Sequence, residues 1–123
     1  MLTYAKLVVW ILALALQMHD THGFNKAMPQ PLASAIAEGA IAHPLGTAEV
    51  KTDDDVRRTA ATLIVLAFRE GSYRTDVVGD LNDPNGVSYG TFQTKQCAPY
   101  SCEALLKDAR KQVDIYLFKL FGY

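Results

Sequence analysis

The chain reads as a mainly α (α+β) domain of packed helices with one short β-hairpin or loop. Three observations carry that expectation. Residues 52–70, "TDDDVRRTAATLIVLAFRE", join an acidic start to an apolar run at helical spacing. Residues 101–123, "SCEALLKDARKQVDIYLFKLFGY", are amphipathic with the period of a helix. Between them the chain is broken by Gly79, Asp80, Asn82, Asp83, Pro84, Asn85, Gly86 and Gly90, residues that favour turns.

With 123 residues, half of them apolar, the chain is sized for one small domain. Its 12 basic and 13 acidic residues nearly cancel, and the basic ones are scattered rather than striped. Nucleic acid is therefore not an expected partner, because phosphate binding needs a concentrated positive footprint. A weakly charged substrate fits better.

Within residues 1–23, Lys6 is followed by an apolar run from Leu7 to Leu16. A bilayer span needs about twenty apolar residues, so no stable membrane span is expected. The run has the length of a signal-peptide core, and Ala13-Leu14-Ala15 is a small-x-small triplet. An export leader, a signal anchor and a helix packed into the core are all open readings, and the domain itself takes residues 24–123. An exported (periplasmic, extracellular or virion-associated) protein is the expectation.

"THGFNKAMPQ", residues 21–30, reads as a linker. Pro31 then suits the first turn of a helix that carries Leu32, Ile36 and Ile41 before His43-Pro44 and Gly46 end it. In the next helix, spanning about 54–70, Thr52 or Asp53 caps the start and three aspartates favour the positive end of the helix dipole. Gly71 is placed to take the left-handed conformation that closes it. The last helix starts at Ser101 and turns Leu105, Leu106, Ala109, Val113, Tyr116, Leu117 and Leu120 to one side. Nothing follows to cover it, so the chain reads as a fragment or a short version of a larger domain.

Cys97 and Cys102 enclose a Pro-containing loop. Their spacing is no zinc signature, and His19, His22 and His43 assemble no metal pattern, so no metal and no cofactor are expected. A local disulfide fits an exported chain, and two thiols fit a cytosolic one. "DPNG" at 83–86 superficially resembles a calcium loop, but Pro84 stands where an oxygen ligand is required.

One carboxylate stands out. Three, four and seven residues before Glu70 lie Ala67, Leu66 and Leu63, which places Glu70 on the apolar side of its helix, where Arg69 is not. Partial desolvation there would favour the protonated form, as a general acid requires. Downstream comes "SYGTFQ", residues 88–93, in which Gly90 lets backbone approach a ligand and Gln93 offers both donor and acceptor.

In this order the elements resemble the lysozyme-like superfamily, and within it the soluble lytic transglycosylase and phage-type muramidase group. The family pattern is a helix ending in Glu-Ser, a loop or hairpin, then Gly, a hydrophobic residue, Phe or Met, and Gln. Here it stands as "AFREGSYR" and "SYGTFQTK", so the resemblance covers about residues 56–96. It implies a small lysozyme-like domain whose hairpin or loop forms a cleft, acting as a monomer on peptidoglycan glycan strands. Glu70 matches the catalytic acid. Ser72, Ser88, Tyr89, Gly90, Phe92 and Gln93 match substrate-binding positions, Gln93 and the backbone near Gly90 and Phe92 at the floor and Ser88 and Tyr89 at the rim.

The implied activity is cleavage of the β-1,4 bond between MurNAc and GlcNAc, as a lytic transglycosylase or a lysozyme. A hydrolase needs a second carboxylate, for which Asp80 is the best placed of Asp76, Asp80 and Asp83; turn chemistry is the other reading of all three. The family's Ser after Glu is replaced by Gly71. The family's late cleft tyrosine has one stand-in, Tyr116, whose apolar-side position also fits core packing. Gly71 and the short C-terminus favour a second class, a non-catalytic glycan-binding or virion-structural protein.

Overall fold

A computed structural model describes residues 2–18, 27–46 and 49–121. Its elements are α1 (Tyr4–Ala15), α2 (Gln30–Ala42), α3 (Asp53–Gly71), β1 (Val78–Gly79), β2 (Ser88–Tyr89), α4 (Cys102–Leu106) and α5 (Ala109–Phe121). The two strands are antiparallel, with Val78 opposite Tyr89 and Gly79 opposite Ser88. The mainly α architecture with a minimal hairpin is thus the one the sequence predicts. His19, His22 and most of the expected linker lie outside the described residues.

Each helix enters the core by its apolar stripe. The stretch from Leu7 to Leu16, open between leader, anchor and core helix, forms most of α1 and buries Leu7, Val8, Ile11 and Ala15. These meet Leu32, Ile36 and Ala40 of α2, Leu63, Ile64 and Ala67 of α3, and Val113 and Leu117 of α5 in one hydrophobic cluster. No helix among the described residues is long and apolar enough to cross a membrane.

Local chemistry sets the ends of α3. The Thr52 hydroxyl accepts the Asp55 N–H at 3.3 Å, and the Asp55 carboxylate accepts the Thr52 N–H at 2.7 Å, a reciprocal cap that satisfies two orphan donors. The Thr52 N–H and hydroxyl, assisted by Arg58, hold the Asp55 carboxyl below its usual range. At the other end the expectation for Gly71 is corrected. Gly71 remains helical, and the left-handed turn falls on Ser72 (φ 51°) and Tyr73 (φ 64°). The Ser72 N–H reaches the Phe68 carbonyl at 3.0 Å and the Tyr73 N–H the Ala67 carbonyl at 3.2 Å, closing the helix without a glycine in the turn.

The reversal drives Tyr73 inward. Its side chain is 1 % exposed, its ring lies 5.3 Å from that of Phe68, and its hydroxyl donates to the Ala15 carbonyl at 2.8 Å. That carbonyl, in the last turn of α1, also accepts the Met18 N–H at 3.3 Å, so the phenol is its second and shorter hydrogen bond. One phenol thereby fastens the end of α1 to the end of α3.

The expected single C-terminal helix is two. Asp108 interrupts it: Oδ1 accepts the Arg110 N–H at 3.0 Å and the Lys111 N–H at 3.2 Å, the way a cap starts a new helix. Of the expected apolar side, Leu105, Val113 and Leu117 are buried, but Leu120 is 43 % exposed. Cys97 and Cys102 are joined by a disulfide, with Cα atoms 5.2 Å apart, at the start of α4. Cys97 also packs with Leu105 and Ile115 in a small second cluster.

Burial pushes the Tyr73 hydroxyl from 10.0 up to about 12. The folded state therefore holds that proton more tightly than the unfolded chain. Its contribution is complete below pH 10 and is lost as pH rises through about 12, a change of roughly 2–3 kcal/mol. Tyr73→Phe should cost about 1 kcal/mol at neutral pH, by removing the shorter of the two hydrogen bonds to the Ala15 carbonyl, and flatten the alkaline decline. Urea unfolding across the alkaline range checks both; equal alkaline slopes for the two proteins would refute the assignment.

Candidate active site

Three segments meet at the end of α3. Glu70 is the last residue before Gly71, and Gly71 lies against the loop that follows β2. A Cβ added at Gly71 would come within 2.6 Å of both the Cα and the carbonyl oxygen of Thr91. Both atoms are backbone and cannot swing aside. Thr91 is fully buried, with its hydroxyl donating to the Ala67 carbonyl at 3.3 Å, so the loop is pinned to the last turn of α3. The absence of a side chain at 71 is thus a packing requirement of this backbone.

That contact sets Phe92 and Gln93 beside the helix end. Phe92 is 3 % exposed, and its ring stacks on that of Tyr116 from α5 with centroids 4.8 Å apart. Tyr116 remains half-buried. Burial, and then the neighbouring Glu70 carboxylate, push its hydroxyl above its usual pKa. Glu70 and Tyr116 are therefore neighbours, and the Phe92–Tyr116 stack ties that pair to the 90–93 loop. Core packing and proximity to the acid are both true of Tyr116.

The burial expected of Glu70 is corrected: the residue is exposed. The helical wheel places it over Leu63 and Ala67, both fully buried, but Glu70 belongs to the last turn, beyond the part of that face which other helices cover. The larger hollows lie elsewhere. One of about 560 Å³ is lined by Ala98, Pro99, Tyr100, Asp114, Ile115 and Phe118, and an adjoining one of about 390 Å³ by Thr94, Lys95 and Lys119 among others. Glu70 borders neither, and it is the chemistry of the residues, not the size of the hollow, that marks its neighbourhood.

The remaining expected site residues divide. Gly90 is buried at φ +79°, with its N–H on the Val77 carbonyl at 2.8 Å. Gln93 is half-buried at φ 50°, and its Nε2 donates to the Gly90 carbonyl at 2.8 Å. Ser72 is half-buried in the turn after α3. Ser88, expected at the rim, is corrected: it is 1 % exposed and its hydroxyl donates to Asp80 Oδ2 at 2.5 Å. Tyr89 is half-buried and packs against the Cys97, Leu105 and Ile115 cluster.

Asp80 holds the hairpin together. Besides Ser88, its carboxylate takes Lys95 Nζ at 3.4 Å, and the same ammonium reaches Asp83 at 3.2 Å and the Gly86 carbonyl at 2.9 Å. Asp83 accepts the Asn85 N–H at 2.8 Å, and this bond, with Lys95, holds its carboxyl low. Asp76 is exposed beside Arg74. Ser72, Tyr73, Asp80 and Gln93, all non-glycine residues at positive φ, bracket the site, and such strain concentrates where geometry matters.

Sequence reasoning missed Gln112, which is 1 % exposed and accepts the Thr91 N–H at 2.9 Å through Oε1. The signal was present: Gln112 lies three residues after Ala109 and four before Tyr116, a polar residue in an apolar stripe. Among protein families, curated proteins and solved structures, none matches the chain. The function has to be argued from these residues.

If Gly71 is required by Thr91, Gly71→Ala and Gly71→Ser should destabilise alike, by about 1–3 kcal/mol, because the Cβ and not the hydroxyl makes the clash. Thermal and urea denaturation measure it. A Gly71→Ser protein as stable as the parent would show that the loop yields.

Proposed function

We propose that the protein cleaves the β-1,4 bond between MurNAc and GlcNAc in peptidoglycan, with Glu70 as the single acid and base. The observation that carries the reading is the meeting of the exposed Glu70 with the loop of Gly90, Phe92 and Gln93 and with the half-buried Tyr116 at the end of α3. These are the residues the lysozyme-like resemblance picks out, and they come from segments far apart in the chain. Exposure leaves room for a polymer to lie across the carboxyl, and a bound glycan would itself displace the water there.

In this reading protonated Glu70 gives its proton to the glycosidic oxygen, which leaves with the bonding electrons as the 4-hydroxyl of GlcNAc. The resulting carboxylate takes the proton of the muramyl 6-hydroxyl, whose oxygen bonds to C1 and closes the 1,6-anhydro ring. No water is consumed. The commitment of Asp80 to Ser88 and Lys95 favours this route over hydrolysis, which calls for a second carboxylate free to serve water or the oxocarbenium-like state. Gln93 and the backbone at Gly90 and Phe92 would contact the sugar. Tyr116 would help hold it over Glu70. The Cys97–Cys102 disulfide supports an exported or virion-associated setting, since such bonds persist outside reducing compartments.

A second reading has one observation in its favour. Glu70 is solvated in the free protein, which suits a glycan-binding or virion-structural protein of the same architecture without efficient chemistry.

Purified peptidoglycan digested by the parent should yield anhydro-muropeptides by mass spectrometry, and Glu70→Gln should reduce their release by about 100-fold or more. Tyr116→Phe, which keeps the ring stack, should reduce it by about tenfold. Reducing ends instead of anhydro ends would replace the transglycosylase with a lysozyme. Equal inactivity of parent and Glu70→Gln, with retained binding to peptidoglycan, would favour the non-catalytic protein.

A further inference from the structure

Gln112 sits in the middle of α5, and its amide reaches three separate segments. Oε1 accepts the Thr91 N–H at 2.9 Å, while Nε2 donates to the Thr75 carbonyl at 2.9 Å and to the Leu105 carbonyl at 2.9 Å. Both amide hydrogens and the acceptor oxygen are thus engaged at a site 1 % exposed. The loop makes space for this amide: a Cβ at Gly90 would lie 2.5 Å from Oε1 and 2.6 Å from the amide carbon of Gln112. Gly90 gives up its side chain and Thr91 gives its N–H to the same group. One turn further along α5 stands Tyr116, stacked on Phe92.

We propose that Gln112 is the positioning residue of the site: it fixes the height of the 90–93 loop on α5, and so the placement of Phe92 and Gln93 relative to Glu70. A leucine would satisfy the surrounding apolar packing, so the buried amide has to be explained by what it holds. What it holds is the loop beside the acid on one side and the turn after α3 and the end of α4 on the other. The inference rests on the proposed glycan-cleaving role of Glu70 only for its catalytic consequence; the seating of the loop stands by itself.

The test compares Gln112→Leu with Gln112→Glu in the full chain. The first removes every hydrogen bond. In the second, a carboxyl buried here takes up a proton, keeps an acceptor for the Thr91 N–H and offers one donor to the Thr75 or Leu105 carbonyl. Both variants should lose thermal stability, but only Gln112→Leu should unseat the loop. Hydrogen exchange at the Thr91 amide should then rise by about tenfold or more. On peptidoglycan strands, kcat of Gln112→Leu should fall by about tenfold with KM changed by less than about twofold, whereas Gln112→Glu keeps kcat within about threefold of the parent.

Unchanged Thr91 exchange in Gln112→Leu would overturn the seating, and activities that simply follow thermal stability in both variants would overturn the positioning role. Raised exchange with unchanged kcat would likewise overturn it. A parent protein without turnover would remove the glycan-cleaving reading and with it the catalytic consequence, while the Thr91 exchange would still decide whether Gln112 seats the loop.

Discussion

The backbone of Thr91 rests on Gly71, and the arrangement around Glu70 depends on that approach. A helix end and a loop twenty residues downstream come within a distance that no Cβ tolerates, with 2.6 Å to the Thr91 Cα. From there the positions follow in sequence. Thr91 is held by the Ala67 carbonyl and by Gln112, Phe92 is delivered to Tyr116, and Gln93 turns back on Gly90 at positive φ. The hairpin between these segments is itself tied by Asp80, Ser88 and Lys95. Glycine at position 71 is therefore accounted for by packing alone.

Under the proposed glycan cleavage, the exposure of Glu70 changes what the chemistry would require. An acid buried in an apolar pocket is prepared before substrate arrives. An acid at the open end of a helix has to be prepared by the substrate, through the water a polymer displaces as it settles. In that proposal more weight falls on the surfaces beside the carboxyl, the Phe92–Tyr116 stack and the loop backbone, because they would determine where a glycan lies. On the same proposal, a buried amide behind the loop would matter to a reaction it does not touch.

How much of this was legible depended on the range of the interactions. The start of α3 could be read directly, since Thr52 and Asp55 are three residues apart and the cap is local. The break at Asp108 was equally local, but the amphipathic pattern runs through it and hid the cap. Glu70 was assigned the correct side of its helix and the wrong depth, because a helical wheel fixes angle and does not say where the covering elements end. The burial of Ser88 follows from Asp80, eight residues away, in a turn whose conformation composition alone does not specify. Tyr73 was beyond reach: its partner, the Ala15 carbonyl, lies 58 residues earlier, and nothing near Tyr73 announces it. Gln112 could have been noticed as a polar residue in an apolar stripe, though not the three segments it serves.

The Tyr73–Ala15 bond has a consequence for α1. The apolar stretch that resembles an export signal supplies Leu7, Ile11 and Ala15 to the interior and the carbonyl that receives the Tyr73 hydroxyl. Once it is folded, those side chains are hidden from any translocation machinery, and a cut after Ala15 would strip a wall from the domain. The same residues that read as a signal core are thus a wall of the folded domain, and whatever loosens the docking of α1, including a change at Tyr73, uncovers the apolar faces of α2 and α3 behind it.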